Sequence, residues 1–368
     1  VDKRWICIFC LCLMTLTGTA CARTPEPAGP EKGKNPPVQE PYRPRKVEGP
    51  VGLVWDWQAQ GEKPSTLARE KKLPGITVLS PSWFVIRDTD GNMEEKNASL
   101  DYAPQAHAKG YRVWALITNG FDPDLTHGLL DNPAGRKNAA EGLLALARKY
   151  QLDGINLDFE NIRAEDSDRL TAFVGEIAGP LRQEGYTVSI DVTVPSDNGN
   201  WSRCYDRKAL SERVDYVMLM AYDEHHRLSK VAGSVASLPW VERGIRKTLE
   251  EVPAEKLVLG MPLYMRDWKE ENGMVSAKTL SMPGARKLIA EKGLVPAWRS
   301  EEAQYYFEYR EQGVLHRVWQ EDARSLALKN ALISRYNLAG SAYWRKGLEE
   351  PEVWEILTDA NFLLHKNK

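Results

Sequence analysis

The run Asp153-Gly154-Ile155-Asn156-Leu157-Asp158-Phe159-Glu160 alternates polar and apolar side chains along what reads as a strand. Successive side chains of a strand point to opposite faces with a rise of about 3.3 Å per residue. Asn156, Asp158 and Glu160 therefore share one face, and Ile155, Leu157 and Phe159 the other. Two carboxyls on one face are equipped for acid/base chemistry. Held close together, one raises the pKa of the other, and a glutamic acid needs that to stay protonated near neutral pH and donate its proton. The ordinary alternative is an amphipathic strand with its polar face in water, and the flanking segments argue against it. Pro133 to Tyr150, with Leu143, Leu144, Leu146 and Ala147 at helical spacing, precedes the run, and a second amphipathic stretch from about Glu165 to Glu184 follows it. A strand between two helices belongs to a parallel sheet covered on both faces, whose strands are normally apolar throughout. Polar side chains inside such a sheet need a purpose.

Seven further β-rich runs could position this strand: Val51–Trp57, Gly75–Pro81, Tyr111–Thr118, Thr187–Val194, Tyr216–Tyr222, Leu257–Leu263 and Leu338–Trp344. Helical patterning falls between most of them, at Ser99–Lys109, Pro133–Tyr150, Glu165–Glu184, Pro239–Glu251 and Asp322–Tyr336, with Pro351–Leu364 after the last strand. Eight strand–helix units predict an α/β fold, a (β/α)8 TIM barrel over residues 49–364 whose site lies at the carboxyl ends of the strands. Glu160 lies at such an end. The gap between strands seven and eight is too long for a simple crossover. Within it, Leu294–Trp298, Gln304–Tyr309 and Val314–Gln320 read as short antiparallel strands, so residues 265–321 are expected to form a small α+β insertion beside the site.

The amino-terminal segment reads differently. Lys3 and Arg4, an apolar run from Trp5 to Leu16 and then Gly18-Thr19-Ala20-Cys21 resemble a bacterial lipoprotein signal. The apolar run is short of the ~20 residues that a membrane-spanning helix needs. That resemblance implies a signal peptide over residues 1–20, cleavage before Cys21, and lipidation of the Cys21 thiol as a membrane anchor. Residues 21–48, interrupted by eight prolines up to Pro50, read as a semi-extended tether. Cys7, Cys10 and Cys12 would leave with the signal, so Cys204 is the one remaining thiol, and neither a disulfide framework nor a zinc cluster can be assembled. Of 49 basic and 51 acidic residues, 8 and 5 fall before residue 49, which leaves the barrel region mildly acidic and argues against a nucleic-acid partner. The protein is read as a monomer.

Other strand ends carry compatible motifs. Met218, Met220 and Tyr222 share a face of strand six with Asp223 next, Gly260, Pro262 and Tyr264 do so on strand seven, and Trp344 ends strand eight. Together with the strand-four octapeptide these resemble glycoside hydrolase family 18, the chitinase-like barrels with the signature DxxDxDxE. Leu152–Ile162, Met218–His225 and Val231–Trp240 are most similar to its spore-cortex-lytic N-acetylglucosaminidase branch. The resemblance implies that Glu160 is the general acid/base and that Asp158 orients the substrate's 2-acetamido group as its carbonyl oxygen attacks the anomeric carbon. It also implies that the Tyr222 phenol binds that acetamido group and that Trp344 floors the sugar subsite. No cofactor is implied. Asn156 replaces the family's usual Asp, which can share a proton with the next carboxyl where an amide cannot take up charge. The third strand ends Ile117-Thr118-Asn119-Gly120, without the Ser-Gly-Gly of many chitinases.

Asn156, Asp223, Tyr264, Asp191 and Arg266 are candidate substrate-binding groups. Eleven of the 12 tryptophans lie beyond the signal, and Trp55, Trp57, Trp83, Trp114, Trp268 and Trp319 are candidates for stacking on sugar rings, with core packing the competing role for each. His225 and His226 are adjacent, so their side chains diverge; no metal is expected, and His225 is a candidate for a hydrogen bond at the rim. The function expected is a retaining hydrolase of β-linked N-acetylglucosamine in peptidoglycan, with a glycan as partner. A chitooligosaccharide hydrolase is the nearest alternative, and a non-catalytic lectin of the same fold is a third.

Overall fold

In the computed structural model the structure describes residues 42–59 and 67–357. The signal segment, Cys21 and most of the tether lie outside them. Eight parallel strands close into a barrel: β1 (Val51–Asp56), β2 (Val78–Ile86), β4 (Arg112–Thr118), β5 (Gly154–Asp158), β6 (Thr187–Thr193), β7 (Tyr216–Met220), β8 (Leu257–Pro262) and β14 (Gly340–Trp344), with β1 pairing both β14 and β2. A short strand, β3 (Met93–Glu95), turns back antiparallel on β2. All eight barrel strands fall where the sequence places them except that β2 is displaced toward the carboxyl side. Gly75 takes φ 72° in a turn, and the strand then runs through Pro81 with a register shift between Ser82 and Phe84. A bulge is where a sheet accommodates a residue that cannot donate to the ladder.

The alternation along β5 separates two packing layers. Ile155, Leu157 and Phe159 are buried in the outer cluster, between strands and helices. The barrel interior is filled by Leu53, Trp55, Val78, Trp114, Leu116, Met218, Val258 and Ala342. Trp114 stacks on Tyr216 at 5.6 Å between centroids, and its ring explains Gly154, where a Cβ would sit 2.7 Å from Trp114 Cδ1 and 2.4 Å from the Thr187 carbonyl oxygen. Asp153 belongs to the opposite, amino-terminal end of the strand. Its carboxylate accepts from Tyr42 Oη (2.5 Å) and the Arg45 and Val113 amides (both 2.9 Å), and lies 2.7 Å from His107 Nε2. It ties residues 42–45 to the barrel floor, about 20 Å of strand away from Glu160.

Helices α1 (Tyr102–Ala108), α3 (Pro133–Lys149), α4 (Ser167–Gln183), α6 (Leu238–Thr248) and α8 (Ala323–Arg335) match the periodicity. Three further ones, α2 (Pro123–Asp131), α5 (Arg207–Arg213) and α7 (Met282–Lys292), were not anticipated. Each opens on a capping side chain, from Asp122, Asp206 and Ser281 respectively. The expected helix after the last strand is a 3-10 turn over Pro351–Leu357, and residues 358–364 lie outside the described residues.

The insertion between β8 and β14 is a five-stranded antiparallel sheet in the order β10-β9-β13-β12-β11, formed by β9 (Tyr264–Glu271), β10 (Met274–Ser281), β11 (Ala297–Arg299), β12 (Gln304–Glu311) and β13 (Val314–Gln320), with α7 following β10. The β9–β10 hairpin was missed. It turns on Asn272-Gly273, both at positive φ, the pair that a two-residue hairpin turn favours. A fully buried ion pair, Lys329 Nζ to Glu321 Oε1 at 2.7 Å, joins the end of the insertion to α8, with Ser325 and Gln304 also bonded to the Glu321 carboxylate.

Candidate active site

The carboxyl end of β5 is built to aim two acids into the barrel mouth. Asp158 ends the strand and Glu160 follows two residues later, where the neighbouring chain fixes its backbone. The Asn119 side chain, just past β4, accepts from the Glu160 amide (3.1 Å) and donates to its carbonyl (2.8 Å). One residue back, the buried Tyr205 hydroxyl donates to the Phe159 carbonyl at 2.7 Å. A backbone gripped on both sides leaves little freedom in where the Glu160 side chain points.

Both acids open on a cavity of about 460 Å³, whose wall also carries Asp191, Met220, Tyr222, Asp223, Tyr264, Arg266, Trp57, Phe121 and Trp344. That is the size of a small-ligand site. Burial pushes the Asp158 carboxyl up to about 7. Burial, followed by the charges of Asp158 and Asp223, holds Glu160 well above the usual carboxylate range. Asp191 is likewise raised by burial and by Asp158, against the Asn156 hydrogen bond that lowers it. Burial first, then Asp191, keeps the Tyr222 phenol protonated far above its ordinary value. Among the described residues none of these three carboxyls has an ion-pair partner. Two cations line the cavity, Arg266 and Arg345; Arg266 is committed to Asp223 Oδ1 at 2.8 Å and to Thr279, and Arg345 lies over the Trp57 ring at 4.6 Å. Tyr264 donates to the same Asp223 oxygen at 2.7 Å, and the Arg266 guanidinium lies over the Tyr264 ring at 4.8 Å. Asp223 takes φ 60°, a conformation uncommon for a residue other than glycine.

The profile of Glycosyl hydrolases family 18 matches residues 54–348. The chain belongs to this family. It is a glycoside hydrolase on a (β/α)8 barrel. The Bacillus subtilis protein YdhD is 31% identical over 62% of this chain, a span that covers 55% of YdhD itself. The cortical fragment-lytic enzyme of Bacillus anthracis is 29% identical over 83% of this chain and 74% of its own length. The crystal structure of the Bacillus cereus spore cortex-lytic enzyme SleL superposes with a TM-score of 0.75 at 26% identity, covering 86% of this chain and 75% of SleL.

Within this family 18 barrel, eight of the nine residues expected at the site, Asp158, Glu160, Asp191, Tyr222, Asp223, Tyr264, Arg266 and Trp344, line the one cavity. Asn156 does not. It is fully buried beneath the cavity floor, so its expected contact with substrate is corrected to a contact with other side chains. Its Oδ1 accepts from Trp55 Nε1 (2.8 Å) and Ser80 Oγ (3.4 Å), and its Nδ2 donates to Ser189 Oγ (3.1 Å) and Asp191 Oδ1 (2.6 Å).

Of the stacking tryptophans proposed for the cleft, Trp57 alone joins Trp344 on the cavity wall, 41% exposed. Trp55 and Trp114 fill the barrel interior. Trp83 packs against Tyr102 and Tyr150, and Trp268 and Trp319 form the core of the insertion. An indole at an inward strand position is used by packing before it can reach a mouth residue. Phe121, 44% exposed on the cavity wall, and Trp201, 39% exposed with its ring 6.5 Å from that of Phe121, were missed. The available signal was an aromatic residue placed directly after the Asn119-Gly120 end of the third barrel strand. Asn119 and Tyr205 were missed as well, because their partners are backbone atoms far away in sequence. His225 is absent from the cavity wall and bonds the Ser234 carbonyl through Nδ1 at 2.9 Å. Among the described residues no cluster of His, Cys, Asp and Glu could hold a metal ion. Cys204 is buried, and burial pushes its thiol up to about 12.

Proposed function

We propose that the protein hydrolyses β-linked N-acetylglucosaminyl bonds of peptidoglycan with retention of configuration, the substrate's own 2-acetamido group serving as nucleophile. The observation that carries this reading is the placement of Asp158 and Glu160, both buried and raised, on one wall of a cavity that also presents Tyr222 and Trp344. Glu160, protonated at neutral pH, donates to the glycosidic oxygen as that bond breaks and later takes a proton from the attacking water. The acetamido oxygen closes on the anomeric carbon, as in substrate-assisted glycosidases. Asp158, ionised, faces the oxazolinium cation that this creates, and the Tyr222 hydroxyl donates to the same acetamido group. Trp344 offers an aromatic face to the sugar at the cleavage point.

Peptidoglycan as the polymer is supported by relatives named for cortical fragments and spore cortex, and the same names support a site of action in the spore envelope or outside the cytoplasm. Cys21 as a lipid anchor fits such a location. No helix among the described residues is long and apolar enough to cross a membrane. The test is digestion of purified cortex, vegetative wall and chitin by wild type and Glu160→Gln, with the new reducing ends identified by mass spectrometry and the first anomer by NMR. New N-acetylglucosamine ends from cortex or wall, formed as the β-anomer and lost by about 10²–10⁴-fold in the variant, are expected. Release from chitin alone would move the substrate to a chitooligosaccharide, and equal rates for the two proteins would leave a lectin.

A further inference from the structure

Asp191 has no assigned task in the chemistry above, yet it is placed where a carboxylate is costly. The last registered pair between β5 and β6 is Leu157 with Ile190. One step further along the parallel strands, Asp158 and Asp191 are neighbours across the ladder, about 4.8 Å apart in the hydrogen-bonding direction. Both are buried, at 7% and 2% exposure, and both line the same cavity as Glu160. Like charges set on neighbouring strands of a sheet repel, and ionising both of two desolvated carboxyls in one cavity is strongly disfavoured.

No cation is among the groups that act on Asp191, although Arg266 and Arg345 both stand on the cavity wall. From β5 it meets Asn156, Asp158 and Glu160; from its own strand, Ser189; from β7 and its end, Met218, Met220 and Tyr222. Across the cavity Asp223 already holds Arg266. Asn156 is a fixed donor, because its Oδ1 is engaged by the Trp55 indole N–H, a group that can only donate. The amide cannot turn over, and its Nδ2 stays on Asp191 Oδ1 at 2.6 Å. That leaves Asp191 Oδ2 for a second partner, and Asp191 lines the cavity alongside Asp158.

We propose that Asp191 works as a neutral acid, holding a proton on Oδ2 for the Asp158 carboxylate so that Asp158 can be ionised while Glu160 keeps its own proton. The inference rests on the glycosidase reading above. It gives a balanced charge count. Before cleavage the three acids Asp158, Glu160 and Asp191 hold one negative charge between them, on Asp158. When Glu160 passes its proton to the leaving oxygen, the new carboxylate is matched by the oxazolinium cation. When Glu160 takes a proton from water and the hydroxide adds to the anomeric carbon, the count returns to one. An ionised Asp191 would add a second negative charge throughout. The second acid of this site is then on β6, at Asp191, and the amide at position 156 of β5 orients it.

Two non-ionisable replacements separate the roles Asp191 could have. Asp191→Asn keeps the shape and a donor in place of the carboxyl hydroxyl, whereas Asp191→Leu removes both. With glycan release as the assay, Asp191→Asn is expected to stay within about tenfold of wild type with its acid limb unmoved. Asp191→Leu should lose more turnover, with an acid limb moved up by about one pH unit or more, since Asp158 loses the donor that favours its ionised form. Equal impairment of both variants would mean that Asp191 acts ionised, and wild-type profiles in both would mean that it does not act on Asp158; either overturns the proposal. Infrared difference spectra of wild type against Asp191→Asn at neutral pH give a readout that needs no turnover. Loss of a protonated-carboxyl C=O band supports the proposal, and loss of a carboxylate band refutes it. Wild type inactive on every glycan would sink the hydrolase reading while the infrared result still decides the protonation of Asp191.

Discussion

Asp158→Asn should destroy turnover and at the same time stabilise the fold, increasingly so as the pH rises. An Asp in an unfolded chain ionises near 3.9, whereas burial raises Asp158 to about 7. Between those values the folded protein holds a proton that the unfolded chain has released. Each step up in pH therefore favours unfolding, until the group ionises in the fold and the loss levels off. A difference of about three pKa units at about 1.36 kcal/mol each is a destabilisation on the order of 4 kcal/mol above pH 7, and on the order of one to two kcal/mol at pH 5. With the carboxyl 7% exposed, solvent screens little of this. An asparagine cannot ionise and removes the penalty. At roughly 2 °C per kcal/mol for a chain of this size, the variant should melt about 3 °C above wild type at pH 5 and about 8 °C above it at pH 8. Paired thermal scans at the two pH values, alongside glycan release, are the assay. A variant no more stable than wild type at pH 8, or a gap that fails to widen from pH 5 to pH 8, would refute the claim that Asp158 is ionised at a cost to the fold.

Asn119→Ala removes both side-chain bonds to the Glu160 peptide and should cost more in kcat than in KM, at about 0.5–1.5 kcal/mol per bond lost, read from steady-state kinetics on oligosaccharides. Phe121→Ala takes an exposed ring off the cavity wall and is expected to raise KM for long glycans by about tenfold while a minimal substrate is spared. Asn156→Asp adds a carboxyl against Asp191 and beneath Asp158, so ionising Asp158 becomes harder and the acid limb of the pH–rate profile should move to higher pH. An unmoved limb would remove any electrostatic role for this position. Lys329→Met strands the buried Glu321 and should cost about 3–5 kcal/mol in urea denaturation, and replacing both partners by apolar residues should recover part of that loss.

A period of two, interrupted by periods near 3.6, was enough to read the barrel from the chain. Apolar residues on the outer face of β5 have to pack on helices, and polar ones on the inner face point into the barrel, toward its mouth at the carboxyl end of the strand. For that reason Asp158, Glu160, Tyr222 and Trp344 could be placed at strand ends before any coordinates. The insertion was legible in part, and its Asn272-Gly273 turn was a signal available and unused. The depth of a residue within the barrel was not legible. Asn156 and Asp158 share a face and differ by one layer, and that layer decides that one touches other side chains and the other the cavity. The tryptophans failed for the same reason, since alternation tells inside from outside but not floor from mouth. The grip of Asn119 and Tyr205 on the Glu160 backbone, and the side-by-side placement of Asp158 and Asp191, depend on which strands become neighbours and in what register. The chain by itself determined the fold class and which acidic residues stand at strand ends. Closure of the barrel decided how close their charges stand and how dry they are, because separations of a few ångströms and exclusion of water are products of packing that spacing along a sequence does not encode.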